Sequence, residues 1–220
     1  MKKSVLFFIL LVFMACQNSN PLLTEQQTPF GVPAFDQIKV EHYMPAFEAA
    51  IQANQAEIDA IINNPAAPTF ENTVEALDRT GELLDKVVGV FFNVLEADGN
   101  DEMNKIAEQV TPMLSALSDG IILNDKLFQR VKAVYEQKDD LNLNPEQMRL
   151  LTETYKQFAQ NGANLPEDQK KRLMEINQEL GLLSLQFGNN VVAETNAYQL
   201  FITDENELKG LPESAKAAAK

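Results

Sequence analysis

The middle of the chain is predicted to be helical, because its apolar residues recur at intervals of three or four positions. Between about Glu41 and Val192 this spacing is interrupted only by short polar breaks, and it places the apolar side chains along one face of each helix. The first helix is predicted to end near Asn63-Asn64-Pro65, since a residue before proline avoids the helical region. The fold class is therefore mainly α, with long antiparallel helices forming a domain over residues 36–196.

Five further helices are predicted from their apolar stripes and their end signals. Asn72 and Glu75 can form a capping box for the second helix, and Pro112 is expected to kink the third. Asn144 is a good N-cap before Pro145, and Pro166 opens the longest helix. The stripes are Val74, Leu77, Gly81, Leu84, Val88, Phe91 and Leu95; Met103, Ile106, Val110, Met113 and Leu117; Leu127, Val131 and Val134; Met148, Leu151, Tyr155 and Phe158; and Leu173, Ile176, Leu180, Leu183, Phe187 and Val191.

The pattern changes after Glu194, where residues 198–203 alternate and are rich in strand formers. They predict one short strand, which would need a partner strand that the rest of the sequence does not offer. The last residues, 213–220, are good helix sequence without a stop signal. Residues 197–220 are therefore predicted to begin a following segment, and the natural protein is expected to continue past Lys220.

The N-terminal residues 1–16 have the layout of a secretory signal. Lys2 and Lys3 precede an apolar run over residues 5–13, and Ala15 and Cys16 follow it; the run is shorter than the roughly 20 residues that span a bilayer. A cysteine after a small residue is typical of a bacterial lipoprotein signal, so Cys16 is the candidate lipidation site. An ordinary signal peptide and an uncleaved anchor are the alternatives. Residues 17–35, rich in proline, are predicted to be a tether. The expected location is the periplasm or a membrane surface.

Composition narrows the possible chemistry. The 220 residues are 45% hydrophobic and 23% charged, as in a soluble globular protein. The 18 basic and 32 acidic residues give a net charge of −14, which argues against a nucleic-acid partner. A single histidine, His42, cannot supply a two-histidine metal site, and a single cysteine cannot form an internal disulfide.

The remaining candidate residues have plain structural interpretations. His42 is predicted to cap or pack near the first helix. The acidic loop at Asp98-Gly99-Asn100-Asp101-Glu102 lacks the glycine of a calcium loop, because Met103 stands at the sixth position. Solvated surface is predicted for Glu71, Glu75, Glu82 and Glu96, and core packing for Tyr155, Phe158 and Phe187. Gly188-Asn189-Asn190 interrupts the long helix and is the one segment that could line a cavity.

Several blocks, in order and without large gaps, resemble the thimet oligopeptidase–neurolysin family. They are PAFDQIKVEHYMPAF at 33–47, PTFENTVEAL at 68–77, MRLLTETY at 148–155, NGANL at 161–165, RLMEIN at 172–177 and ELKGLP at 207–212. The blocks from residue 148 onward are most similar to the bacterial peptidyl-dipeptidase branch. Agreement of several blocks is far more specific than any single motif.

The resemblance implies a zinc metallopeptidase that acts on oligopeptides and releases C-terminal dipeptides. The helical N-terminal part of such enzymes walls a substrate channel, and the zinc site lies in a C-terminal catalytic half, built on His-Glu-x-x-His. No position here matches those ligands, so this chain is assigned no catalytic and no metal residue and is expected to be inactive alone. The alternative is a self-standing helical lipoprotein that serves as a binding or scaffold module.

Overall fold

The computed structural model describes residues 20–25 and 28–219, and helices dominate them. The α-helices are α1 (Val40–Ile62), α2 (Ala76–Asp78), α3 (Glu82–Asp98), α4 (Asp101–Ile122), α5 (Asp125–Glu136), α6 (Pro145–Gln160), α7 (Glu167–Ala197) and α8 (Glu213–Ala218). A π-helix, Phe70–Glu75, runs directly into α2, and short 3-10 turns cover Pro29–Gly31, Lys138–Asp140 and Glu205–Leu208. The mainly helical fold class is confirmed.

The largest apolar core lies where α1 packs against α3 and α4. Phe91 of α3 is fully buried there, and its ring meets Tyr43 and Phe47 of α1 edge-on, with centroid separations of 4.9 and 5.2 Å. Edge-to-face pairs of this kind add to the free energy gained by burial. This cluster fixes the three helices relative to one another.

Part of the predicted tether belongs to this core. Leu22 is 1% exposed and packs in the same cluster. The Asn20 side-chain amide donates to the carbonyl of His42 at 2.7 Å, and Lys86 Nζ donates to the carbonyl of Thr24 at 3.0 Å. Residues 20–24 are therefore packed on the domain, which the proline-rich composition did not predict.

A second apolar region joins α5 and α6 to the end of α1 and to the π-helix. Phe128 and Phe158 stack at 6.0 Å beside Ile58 and Leu127, and a smaller cluster holds Phe70, Val74, Val134 and Leu151. The predicted stripes of α5 and α6 are confirmed, since Leu127, Val131, Val134, Leu151 and Phe158 are all buried.

The cap predictions had mixed outcomes. Asn144 caps α6 as predicted, accepting a hydrogen bond from the backbone N–H of Gln147 at 2.9 Å, while Gln147 reaches back to Asn144. The capping box predicted for Asn72 and Glu75 is wrong. Thr69 is the N-cap instead, and it exchanges hydrogen bonds with Asn72 at 3.2 and 2.9 Å. Thr69 directly precedes the π-helix, so the capping box forms three residues earlier than predicted.

The single helix predicted across residues 74–95 is also wrong. Gly81 adopts a left-handed conformation, with φ +85°, and separates α2 from α3. Its N–H donates to Glu57 Oε2 of α1 at 2.8 Å. Gly81 sits at a stripe position of the sequence, but its backbone makes a turn that other residues adopt only at a cost.

The strand predicted for residues 198–203 is wrong as well. These residues form neither strand nor helix, and the described part of the chain contains no strand. Tyr198, Leu200 and Phe201 are 72%, 69% and 81% exposed. A strand needs hydrogen-bonding partners, and no backbone hydrogen bond joins residues 199–203 to another part of the described chain. The antiparallel order of the helices stays a prediction, and the signal over residues 1–16 lies outside the described residues.

Candidate functional site

A cleft of about 540 Å³ opens where three elements meet. The C-terminal turn of α4 forms its floor, the end of α6 and the following turn form one wall, and the first turns of α7 form the other. Side-chain amides dominate its polar lining, which comprises Ser118, Asp119, Gln157, Gln160, Asn161, Asn164 and Asn177. The volume lies within the range of small-ligand sites, roughly 300–1,000 Å³.

Asp119 is the charged residue of this cleft. It is only 7% exposed, and its Oδ1 accepts a hydrogen bond of 2.7 Å from Asn177 Nδ2. None of the lysines, arginines and histidines that the structure describes forms an ion pair with it. A carboxylate so placed lacks the opposite charge that usually accompanies burial.

Two residues hold the walls of this cleft in place. Lys170 at the start of α7 is 3% exposed; its Nζ donates to the carbonyl of Leu123 at 3.0 Å and pairs with Asp125. Gly162, with φ +97°, forms the turn after α6, where a Cβ would lie 2.6 Å from Leu173 Cδ2. The corner between α4, α6 and α7 is thereby fixed.

A second and larger cleft, of about 760 Å³, lies at the other end of α7. Gly188 and Asn189 line it together with Leu95, Asp98 and Asn104 from the α3–α4 corner. The sequence prediction that Gly188-Asn189-Asn190 could line a cavity is confirmed for its first two residues. Asn190 lies beside a different and shallower depression, with Leu183 and Phe187.

His42 has a structural role, as predicted. Its Nδ1 accepts a hydrogen bond from the backbone N–H of Lys39 at 3.0 Å, which caps α1. In the part of the chain that the structure describes, no group of three His, Cys, Asp or Glu residues could hold a metal ion. The described residues therefore do not fit a zinc site.

The acidic candidates also have the structural roles that the sequence predicts. Asn100 is the N-cap of α4, and its Oδ1 accepts from the backbone N–H groups of Glu102 and Met103 at 3.0 Å. Glu71, Glu82 and Glu96 are exposed, and Glu75 pairs with Arg79. These carboxylates are surface groups, and no acid–base pair is formed.

The apolar stripe predicted for the longest helix is real, but it does not face the core. Lys170 is the only buried residue among the 31 of α7. The helix packs on α4 through a neighbouring row that includes Asn177, Gly181 and Leu185. Five of the six stripe residues are exposed: Ile176 43%, Leu180 58%, Leu183 52%, Phe187 71% and Val191 48%. The sixth, Leu173, is half-buried and lines the cleft beside Asp119. Core packing is thus confirmed for Phe158 and wrong for Phe187.

We call these five side chains, Ile176, Leu180, Leu183, Phe187 and Val191, the outer face of α7. Contiguous exposed apolar surface of this kind usually marks an interface in a soluble protein. Tyr198, Leu200 and Phe201 extend the apolar exposure beyond the end of the helix. Within the described residues, no helix is both long and apolar enough to span a membrane.

Sequence reasoning missed Asp119, Asn177 and Lys170. Periodicity treats polar residues on a helix as facing solvent, so a buried one carries no signal in a single sequence. Away from the cleft, burial raises the pKa of Tyr43 above its usual value.

The described helices bury an apolar core on one side and leave the outer face of α7 uncovered on the other. Comparison with known proteins shows which proteins the chain is related to. The chain is 41% identical to dipeptidyl carboxypeptidase of Salmonella typhimurium over 92% of its own length, and 38% identical to that of Escherichia coli over 91%. It is 30% identical to oligopeptidase A of Salmonella typhimurium over 92%. No family model matches the chain.

The chain belongs to the family of dipeptidyl carboxypeptidases and oligopeptidases A, in which a thimet-like oligopeptidase is a more distant relative at 24% identity. The resemblance found in the sequence is thereby confirmed. The chain spans about 30% of the length of these curated relatives.

Proposed function

We propose that this chain is the N-terminal part of an exported zinc metallopeptidase that cleaves oligopeptides and releases C-terminal dipeptides. In this proposal its helices wall one side of the substrate channel and support a catalytic part that carries the zinc ligands. The observation that carries the proposal is the 41% identity to a dipeptidyl carboxypeptidase, extending over 92% of the chain.

The outer face of α7 supports the existence of a larger fold. α7 packs on α4 along one side, yet only one of its 31 side chains is buried and its outer face has no cover within the described chain. The relatives are more than three times longer than the matched region, so the family fold contains enough further chain to cover this face. We therefore propose that the catalytic part packs against the outer face of α7.

The chemistry of hydrolysis is assigned to that catalytic part. The described residues offer a single histidine, already used as a helix cap, and no group of ligands for a metal. In a zinc peptidase the ion activates a water molecule and polarises the scissile carbonyl. This chain would contribute binding, orientation and exclusion of folded proteins.

The proposal of export and lipidation is based on the N-terminal sequence. The basic residues, apolar run and Ala15-Cys16 are the features that support a lipoprotein signal cleaved before Cys16. Mass spectrometry of the mature N-terminus tests this directly. A lipid-modified Cys16, lost in the variant C16S, is the expected result. An unmodified mature end after cleavage elsewhere would leave an ordinary signal peptide as the explanation.

Two experiments test the peptidase proposal. The first is to read the gene past codon 220, where a downstream His-Glu-x-x-His is expected. The second is a chimera in which this chain replaces the matched region of the Salmonella typhimurium dipeptidyl carboxypeptidase. The chimera should release C-terminal dipeptides from oligopeptides, and the 220-residue chain alone should not.

The opposite results would support the alternative. A stop codon after residue 220, with no zinc motif downstream, would favour a self-standing helical module. Chelator-sensitive cleavage by the isolated chain would show that the catalytic residues have been assigned to the wrong part. A soluble chimera without activity would also count against the proposal.

A further inference from the structure

The amide-lined cleft beside Asp119 has features that neither the helical packing nor the proposed peptidase role explains. Asp119 is more than nine-tenths buried, and in a purely structural role such a carboxylate is normally paired with a cation or held by several hydrogen bonds. Asp119 accepts one hydrogen bond, from Asn177. The geometry thus leaves room for a positive group at the second oxygen.

The structure itself offers a contrast in the neighbouring ion pair. Lys170, also buried, is satisfied by Asp125 and by the carbonyl of Leu123. This cation is held at the start of α7 by partners other than Asp119. No described side chain therefore forms an ion pair with the carboxylate in the cleft, and its second oxygen is available to a cationic group of a ligand.

The rest of the lining indicates what else that ligand carries. Gln157, Gln160, Asn164 and Asn177 present side-chain amides, each of which has both donor and acceptor groups. Peptide groups also carry one donor and one acceptor each. Ile122, Ala159, Leu165 and Leu173 form the apolar part of the lining, and the polar part is larger, so the cleft suits a polar backbone better than a large apolar side chain.

We propose that this cleft binds the amino-terminal end of a short peptide, with the α-ammonium group paired to Asp119 and the following peptide groups hydrogen-bonded by the amides. The volume of about 540 Å³ accommodates a ligand of a few residues. The inference rests on the residues of the cleft alone, and it does not require the chain to be part of a peptidase.

The test is a titration of the isotope-labelled 220-residue chain, followed by NMR at the side-chain amide of Asn177. The ligand is triglycine, and N-acetyl-triglycine is the matched ligand that keeps every peptide group but lacks the ammonium. Triglycine should give a saturable shift. Acetylation should weaken binding about tenfold or more, because it leaves the carboxylate without a cation.

The variant D119N removes the charge and keeps the shape of the side chain, and it should weaken triglycine binding to the same extent. E108Q removes one exposed carboxylate from the same helix and should leave binding unchanged. Circular dichroism of each variant checks that the helices are retained. Any of three results would overturn the proposal. They are equal binding of the free and acetylated peptides, unaltered triglycine binding by folded D119N, and the lack of a saturable shift with triglycine. None of these results depends on hydrolysis, so they are separate from the tests of the peptidase.

Discussion

Arg130 is the residue that most clearly holds a loop by buried polar contacts. It is 9% exposed, and its guanidinium donates to the carbonyls of Asn64 and Ala66 at 3.0 and 3.2 Å and to the side chains of Asn72 and Thr73 at 3.1 and 3.3 Å. All four acceptors are neutral. The planar group therefore fastens the segment between α1 and the π-helix to α5, which a lysine ammonium could not do.

Replacing Arg130 with Met should lower the free energy of unfolding by about 2–4 kcal/mol, because several buried acceptors lose their donor. Urea unfolding followed by circular dichroism measures this change. K132M is the matched control on the same helix, since the pair of Lys132 with Glu136 is at the surface and 3.9 Å long, and it should change stability by less than about 0.5 kcal/mol. Arg130→Lys should not restore stability. A loss no larger than that of K132M would contradict this role.

Tyr43 is the residue that makes stability depend on alkaline pH. Burial raises the pKa of its hydroxyl above the ordinary value of 10.0, so the neutral form is favoured in the folded state. Its contribution to stability is complete below pH 10 and is lost as the pH rises through the pKa of the folded state, because the unfolded chain ionises first.

The free energy of unfolding should therefore fall as the pH rises above about 10. In Y43F this fall should be smaller, because phenylalanine keeps the ring contact with Phe91 and cannot ionise. Denaturant titrations at a series of alkaline pH values measure the slope. Tyr198, whose side chain is 72% exposed, provides the control variant Y198F, which should leave the slope unchanged. Identical slopes for Y43F and the parent chain would refute the assignment.

At the scale of elements, two glycines differ in whether their positions require glycine. Gly162 ends α6 with φ +97°, and a Cβ there would lie 2.6 Å from Leu173 Cδ2. Gly89 lies within α3, with nothing near the position of its Cβ. The first position requires glycine, whereas the second merely tolerates it.

G162A should lower stability by about 2 kcal/mol, from backbone strain and from the clash with Leu173. G89A should be neutral or should raise stability by up to about 1 kcal/mol, because alanine is the better helix former. Thermal melting of the two variants compares them directly. Similar destabilisation by both substitutions would mean that the turn after α6 does not need a left-handed residue.

The helices could be predicted from the sequence because apolar spacing and local caps are properties of neighbouring residues. The start of α6 at Asn144 is an example, and so are the buried side chains of α5. The break at Gly81 could not be predicted, because its left-handed turn depends on contact with Glu57 of a different helix. The prediction of a strand at residues 198–203 was wrong for the same reason, since strand pairing depends on residues that are distant in the chain.

The candidate cleft also could not be predicted from the sequence, because its residues come from distant parts of the chain. Asp119 and Asn177 are 58 positions apart, and each looks like a solvent-facing residue on its own helix. Only the packing of α7 on α4 brings them together. The family relationship was accessible from the sequence, because it depends on ordered blocks of residues rather than on contacts.

At the scale of the whole molecule, the outer face of α7 is the apolar surface that the contacts within this chain leave uncovered. The isolated chain should expose this face to solvent, bind a hydrophobic dye and self-associate at high concentration. The double variant L183Q/F187Q replaces two residues that are 52% and 71% exposed. It should reduce dye binding and self-association, and it should change the unfolding free energy of the isolated chain by less than about 0.5 kcal/mol.

In the chimera with the catalytic part of a relative, the same double variant should have the opposite consequence. If the outer face of α7 is covered there, two buried glutamines would lose apolar contacts and need hydrogen-bond partners, at a cost of several kcal/mol. The chimera should then melt at lower temperature and lose activity, while E179Q, an exposed substitution on the same helix, should leave both unchanged. Calorimetry and the dipeptide-release assay measure the two effects. If the double variant changes neither the melting temperature nor the activity of the chimera, this face stays in solvent there. A substitution that is neutral in the isolated chain can damage the chimera only if the substituted surface becomes buried in it.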